Sequence, residues 1–267
     1  MQINKSWMMG LGLLACSLAA SAGEADWTLR IKQEAKHLAI TLGSTHQYGP
    51  NAGRIKGSGN LVEKKREIGS FSKLRIEGPL DVQLNQGATE TLSISAEDNV
   101  EPLIETRLDG DALVIALKGG AGFTTRKPPR LMLGFRKLNA VQIKGSGDVS
   151  IDQLKAEQFA VNISGSGDLD IGLLEARELS ASISGSGDVH IAGRAEQQNW
   201  SLSGSGDVSA ASLSGRAAKA QLSGSGDLSL GVLEQLDANL SGSGDLSYAG
   251  RPKLTQKISG SGEISGR

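Results

Sequence analysis

A four-residue peptide, Gly-Ser-Gly-Asp, returns through the C-terminal half of the chain. Its acidic residue falls at Asp148, Asp168, Asp188, Asp207, Asp227, Asp245 and, as a glutamate, Glu263, in steps of 20, 20, 19, 20, 18 and 18 residues. A fixed period of this length restricts the chain to a repeat architecture, in which each unit buries its apolar side against the next. The residues around the acid say which one. Five positions before it stand Ile143, Ile163, Ile183, Leu202, Leu222, Leu240 and Ile258, and one position after it Val149, Leu169, Val189, Val208, Leu228, Leu246 and Ile264. Neither column contains a polar residue. Three positions after the acid are Ile151, Ile171, Ile191, Ala210, Leu230 and Tyr248, with Ser150, Asp170, His190, Ser209, Ser229 and Ser247 between. Alternation with period two marks a strand with one buried face, whereas a helix would need apolar residues three and four apart.

Each unit therefore holds a strand, a Gly-Ser-Gly turn, a second strand, and a third segment returning through Leu154, Leu174, Leu213 or Leu233. Strand-to-strand stacking at ~4.8 Å buries the inner face. The expected fold is all-β: a parallel β-helix with coils of 18–20 residues, about seven of them, running from 141 to 267. Proline agrees, since positions 130 to 251 contain none and proline cannot donate to a strand ladder. Small residues such as Ala156, Ala176 and Ala210 suit a narrow interior. Of the chain's 36 glycines, 14 sit in the seven turns, where they are expected to supply positive φ.

The region 56–140 reads as an irregular first part of the same solenoid. Phe71–Ile76, Thr91–Ile94 and Ala112–Leu117 are strand-like, and Asp109-Gly110 signals a turn between strands. Gly57-Ser58-Gly59-Asn60 has the form of an early copy of the motif, and Ile76–Leu84, containing Asp81, is a degenerate one. Residues 23–55 form a lead that serves as a cap or a linker. Ahead of it, Lys5, the apolar run from Trp7 to Ala20 and Ala20-Ser21-Ala22 form a signal peptide over 1–22, cleaved before Gly23. The run is shorter than the ~20 apolar residues a membrane span needs. A lipoprotein reading through Leu13-Leu14-Ala15-Cys16 is the alternative. With cleavage at Gly23 the only cysteine is lost. The chain is expected to be exported, to the periplasm or the cell surface.

The strings at Gly57–Gly87, Ile104–Leu117 and Arg126–Val149, followed by the Gly-Ser-Gly-Asp coils, resemble the head GIN domain family of auto-transporter adhesins. The resemblance covers about Ile55 to the end. It implies an exported bacterial β-helix with an adhesin-like role and no catalytic residues to carry over. The chain departs from the family name in one respect: no ~10-residue alternating strands with aromatic girdles, the pattern of a membrane barrel, follow the coils.

The acid column is the feature most open to a site reading. Carboxylates stacked about 5 Å apart repel by about 3 kcal/mol per neighbouring pair at an effective dielectric near 20. Two arrangements relieve this. Either each carboxylate accepts hydrogen bonds from backbone N–H or serine hydroxyl groups of its own or the next coil, or Asp148, Asp168, Asp188, Asp207, Asp227, Asp245 and Glu263 form a row of cation sites. The first accounts for every residue of the motif without a metal, so no metal or cofactor is expected.

Other chemistry is thin. Histidines are His37, His46 and His190, and a Ser-His-Asp set around His190 is expected by chance in a ladder of serines and aspartates. The glycine turns open strands, not helices, so they are not phosphate loops. Arg126, Lys127, Arg130, Arg136 and Lys137 could make a polyanion patch, but alternating Leu131, Leu133 and Phe135 favour an ordinary solvated face. With 28 basic and 29 acidic residues the chain lacks the charge of a nucleic-acid binder. The expected function is non-catalytic: an adhesin-like or envelope scaffold presenting Ser/Asp/Gly-rich faces to a protein, a surface glycan or itself, the last through an open C-terminal strand edge. The alternative is a carbohydrate-active β-helix enzyme, a polysaccharide lyase or hydrolase. Aromatics at 3% argue against its sugar-stacking groove.

Overall fold

The computed structural model describes residues 46–49 and 55–267. The expected signal peptide 1–22, Cys16, His37 and most of the 23–55 lead lie outside the described residues. From the Gly-Ser-Gly-Asp repeats onward the chain is a β-solenoid of about 6 turns. Seven motifs bound six complete coils, so the expected number was one too high.

The columns of the sequence become columns of the core. On the first side of the solenoid Val82, Val149, Leu169, Val189, Val208, Leu228, Leu246 and Ile264 are successive parallel partners. On the side before the turn, Ile76, Ile143, Ile163, Ile183, Leu202, Leu222, Leu240 and Ile258 do the same. Most are under 4% exposed, and exposure returns only at Ile258 and Ile264 in the last coil. The third segment is buried through Leu154, Leu174, Leu213 and Leu233. Strands follow one another without a break in the early coils, where Val149–Gly165 and Leu169–Ile183 each wrap a whole coil. Parallel in-register pairing works here because each coil repeats the previous apolar set, so a one-residue slip would turn every inward side chain outward.

One interior column is uneven in size and complementary in volume. Val161, Ala181, Trp200, Ala220 and Ala238 stack in that order. Alanine above and below leaves room for the indole of Trp200, which is 2% exposed. Its Nε1 donates to the buried Gln198 Oε1 at 3.2 Å, and Gln198 Nε2 donates to the Ala195 carbonyl at 3.2 Å.

Before the first complete coil the pairing is mixed. Lys73–Glu77 and Val82–Gln86 stack in parallel beneath Ala140–Gly145 and Val149–Ile151, and in turn lie parallel to Ala112–Leu117 and Arg130–Phe135 on their other side, so the degenerate copy at Ile76–Leu84 is a rung of the same stack. Two antiparallel additions close this end: Leu61–Arg66 with Thr91–Glu97, itself antiparallel to Arg130–Phe135, and the hairpin Ile104–Asp109 with Ala112–Leu117 turning at Gly110 (φ 63°). Antiparallel neighbours do not need the same residues in register, which is why the clean repeat is missing from this stretch. A small sheet joins His46–Tyr48, Phe123–Thr125 and Ile55–Lys56, with the rings of Tyr48 and Phe123 stacked 4.8 Å apart.

The apparent early motif at Gly57–Asn60 is not a coil turn. It wraps the carboxylate of Glu97, a residue only 1% exposed. That carboxylate accepts from the Gly59 amide at 2.7 Å and the Thr125 hydroxyl at 2.5 Å, and a Cβ on Gly57 would overlap it. Next to it, Glu101 receives Lys64 Nζ at 2.7 Å and Arg66 Nη2 at 2.6 Å.

Burial raises the pKa of both glutamates, but hydrogen bonds outweigh it, from Thr125 and the Gly59, Arg126 and Lys127 amides at Glu97 and from Lys64 and Arg66 at Glu101. Each ends below its ordinary value of 4.5. A depressed folded pKa gives stability that is present above the unfolded pKa and lost as pH falls through the folded one. Acid therefore loosens this end before the coils. Hydrogen exchange below pH 4.5 is expected to accelerate first in Leu61–Arg66 and Thr91–Glu97, and Glu97→Gln removes the share of that pH dependence carried by Glu97, leaving the share carried by Glu101. Uniform acceleration along the chain would contradict it.

Candidate functional site

The acid column runs along the corner where each turn meets the next strand. Its carboxylates are joined coil to coil: the amides of Asp148, Asp168, Asp188, Asp207, Asp227, Asp245 and Glu263 donate to Oδ1 of the acid one coil below, at 2.7–3.1 Å. The lowest acceptor is Asp81, the acid of the degenerate copy at Ile76–Leu84. Each aspartate of the column, Asp81, Asp148, Asp168, Asp188, Asp207, Asp227 and Asp245, thus spends one oxygen on the stack. A charged acceptor makes a stronger bond than a neutral one, which offsets the repulsion between neighbours.

The rest of the motif is used the same way. Before five of the turns a serine, Ser184, Ser203, Ser223, Ser241 or Ser259, donates its hydroxyl to a carbonyl of the coil below, as Ser203 does to Ile183 and Ser223 to Leu202. The middle serine donates its amide to the first glycine of the turn below, as from Ser205 to Gly185 and Ser225 to Gly204 at 2.8 and 2.9 Å. The expected positive φ is found at Gly145 and Gly165 only among the fourteen turn glycines. The others are needed for a different reason: from Gly165 upward, a Cβ at either glycine position would overlap the glycine carbonyl of the preceding turn. Close backbone approach, not handedness, selects glycine here.

Among the described residues no group of three His, Cys, Asp or Glu side chains is placed to hold a metal ion. The cation reading of the ladder has a direct test. Asp207→Asn leaves Oδ1 as an acceptor and removes one charge from the column. The expected outcome is a melting midpoint equal to or slightly above the parent, unchanged by calcium or chelator, while Asp207→Ala loses about 1 kcal/mol. A calcium-dependent rise in the parent that Asp207→Asn abolishes would instead establish the cation row.

His190 lies in the outward row between its strand partners Asp170 and Ser209, with Ser150 and Ser229 beyond. Its Nδ1 is buried without a hydrogen-bond partner. A relay would need both imidazole nitrogens engaged, so the arrangement is one of neighbours, without the bonding of a Ser-His-Asp set. The basic segment is divided. Leu131, Leu133 and Phe135 are buried as expected, leaving Arg126, Lys127 and Arg130 at one end of the strand and Arg136 and Lys137 at the other. Arg136 is engaged by Glu90 at 2.8 Å and the Ser70 hydroxyl at 2.8 Å. At the base of the ladder the hydroxyl of Tyr48 is held well above its ordinary pKa, first by burial and then by the negative charges of Asp81 and Asp148.

Two shallow clefts open beside the corner between the third segment and the strand before the turn. One, about 340 Å³, is bordered by Lys137, Asn139, Glu157, Gln158, Arg177 and Ser180. The other, about 320 Å³, is bordered by Gln197, Asn199, Lys219, Gln235, Asp237 and Thr255. Amides and charges line both. Phe159 and Trp200 face the interior, and Tyr248 is partly buried.

A family model described as "Putative auto-transporter adhesin, head GIN domain" matches residues 70–252. Among solved structures, a "putative adhesin" from Bacteroides fragilis is 26% identical, with a TM-score of 0.76 over 80% of this chain and 100% of its own. A "putative adhesin" from Parabacteroides distasonis is 23% identical, with a TM-score of 0.67 over 80% of this chain and 99% of its own. A structure titled "putative lipid binding protein" from the same species is 24% identical, also at 0.67 over 80% and 99%. These last two share the fold. No curated protein sequence matches the chain.

Proposed function

The chain belongs to the head GIN domain family, and from that premise we propose that it is an exported, non-catalytic, adhesin-like interaction module of the cell envelope. The observation that carries this reading is the use of the acid ladder. The one feature that looked like a row of reactive groups is engaged, rung by rung, in holding the coils together. Long polar faces are left outside, regular at strand spacing, and among the described residues no aromatic side chain is fully exposed. Among the described residues no helix is long and apolar enough to cross a membrane.

Such faces suit extended contact with a protein or glycan of the cell surface. A further contact is offered by the last coil, whose strands Lys253–Ile258 and Ile264–Gly266 each pair on one side. Periplasm or cell surface is the expected location, and fractionation with surface protease digestion tests it. For the function, the purified mature chain is to be screened for binding to envelope fractions and for turnover of uronate and neutral polysaccharides. Saturable binding without turnover is expected. Turnover that disappears when one solvent-facing carboxylate is replaced would overturn the proposal in favour of a carbohydrate-active enzyme.

A further inference from the structure

One column of charged side chains is joined coil to coil by a single ion pair among the described residues. At the corner after the third segment, Lys137, Glu157, Arg177, Glu196, Arg216 and Glu234 lie one above another, and all six are exposed. Backbone pairing fixes their register. Ala156 and Gln158 pair with Ala176 and Glu178, and these with Ala195 and Gln197. The Arg216 amide donates to the Glu196 carbonyl, and the Glu234 amide to that of Arg216. Lys137 stands three residues before Ala140, as Glu157 does before its partner Ala160, and both border one cleft with Arg177. By the same registers Ser70 lies below Lys137 and Pro252 above Glu234, so the row has neutral ends.

The signs alternate at every step. Within one chain, alternation keeps like charges from stacking about 4.8 Å apart. Yet among the described residues only Arg177 and Glu157 approach as an ion pair inside the row, at 3.6 Å. The row also has an even number of members, so reading it backwards exchanges every sign. A two-fold axis between Arg177 and Glu196 places each charge opposite its complement: Lys137 against Glu234, Glu157 against Arg216, Arg177 against Glu196, and the three reciprocal pairs. The flanking column agrees, with Glu175 meeting Arg194 and Lys155 meeting the neutral Ser214. A two-fold axis parallel to the solenoid would instead set like on like.

We propose that this corner is a pairing surface for a second copy of the chain, laid side by side and antiparallel. An isologous contact of this kind closes on itself. The first cleft of each copy comes against the second cleft of its mate, because the axis exchanges the lower half of the row with the upper. Exposed ion pairs are individually weak, so the dimer is transient and salt-sensitive. It is independent of pairing at the last strand edge and stands or falls apart from the adhesin-like reading.

Sedimentation of the mature chain is expected to show concentration-dependent dimer at about 0.05 M salt and monomer at about 0.5 M, where charges are screened within a few ångströms. Arg177→Glu and Glu196→Arg each abolish self-association, yet the two variants mixed form a one-to-one dimer. A chain carrying both substitutions dimerises again, although within its own row it now sets like charges beside Glu157 and Arg216. That recovery separates contact between chains from contact within one. Melting curves confirm that each variant is folded. A strict monomer at low salt, mixed variants that stay apart, or an association indifferent to salt and to both substitutions would each overturn the proposal.

Discussion

Gly224→Ala is expected to destabilise the solenoid by at least about 3 kcal/mol, far more than an alanine usually costs at an extended position. The added methyl would fall on the Gly204 carbonyl oxygen of the coil below. That oxygen cannot move freely, because it accepts the amide of Ser225 at 2.9 Å and, more weakly, that of Gly226 at 3.4 Å. Relief would open the turn that defines the repeat and pull on the Asp227 amide, bonded to Asp207 Oδ1 at 2.8 Å. Side-chain rotation offers no escape, since backbone meets backbone on both sides. Coils contact only their neighbours, so a break at this level uncouples those above from those below. Denaturant unfolding should split into two transitions, with amide exchange fastest near residues 204–227. Gly87→Ala is the control: its Cβ meets nothing within 4 Å and its φ lies outside the left-handed region, so a change within about 0.5 kcal/mol is expected. Equal effects at the two sites would refute the close-approach account.

The solenoid was legible because its cause is repeated. Ile163, Ile183 and Leu202 occupy one column since each packs on the last, and a period-two pattern seen seven times needs no tertiary information. The reason for glycine was less legible. Positive φ and close approach both select it, and only the stack shows that Gly224 meets Gly204 while Gly145 also needs its φ of 120°. Glu97 could not be read at all. Its partners lie 38 and 28 residues away, Gly59 just ahead of the antiparallel strand Leu61–Arg66 and Thr125 in the separate three-stranded sheet, and no periodicity marks them. For the same reason Gly57-Ser58-Gly59-Asn60 looked like a coil turn: local sequence does not distinguish a glycine that faces a coil below from one that faces a carboxylate. The alternating charges from Glu157 to Glu234 were visible, seven to nine residues after each ladder acid. Their meaning needed the register, which converts that spacing into one straight row.

The second large effect is expected at Trp200, where the interior departs from uniform small aliphatics. Trp200→Ala removes the largest side chain in the coils and leaves a void with only alanine above and below, at Ala181 and Ala220. Collapse is limited because neighbouring coils are held in register by their turns. A cost of about 3–5 kcal/mol follows from buried aromatic-to-alanine changes. Part of it is polar, since the variant strands the amide oxygen of Gln198, which is 2% exposed and receives the indole N–H. Two further variants separate the parts. Gln198→Leu keeps the ring but leaves its N–H without a partner, at a cost of about 1–3 kcal/mol. With Trp200→Ala and Gln198→Leu together, the stranded oxygen and the stranded N–H both disappear, so the pair should cost less than the sum of the single changes by roughly 1 kcal/mol or more. The column of Phe159, Leu179, Gln198, Ala218 and Leu236 already accepts aliphatic and aromatic side chains, with the small Ala218 next to position 198, so leucine there creates no clash of its own. Strict additivity in this cycle would mean that the Trp200–Gln198 bond contributes nothing. The glutamine, a polar residue in an otherwise apolar column, would then have no physical account.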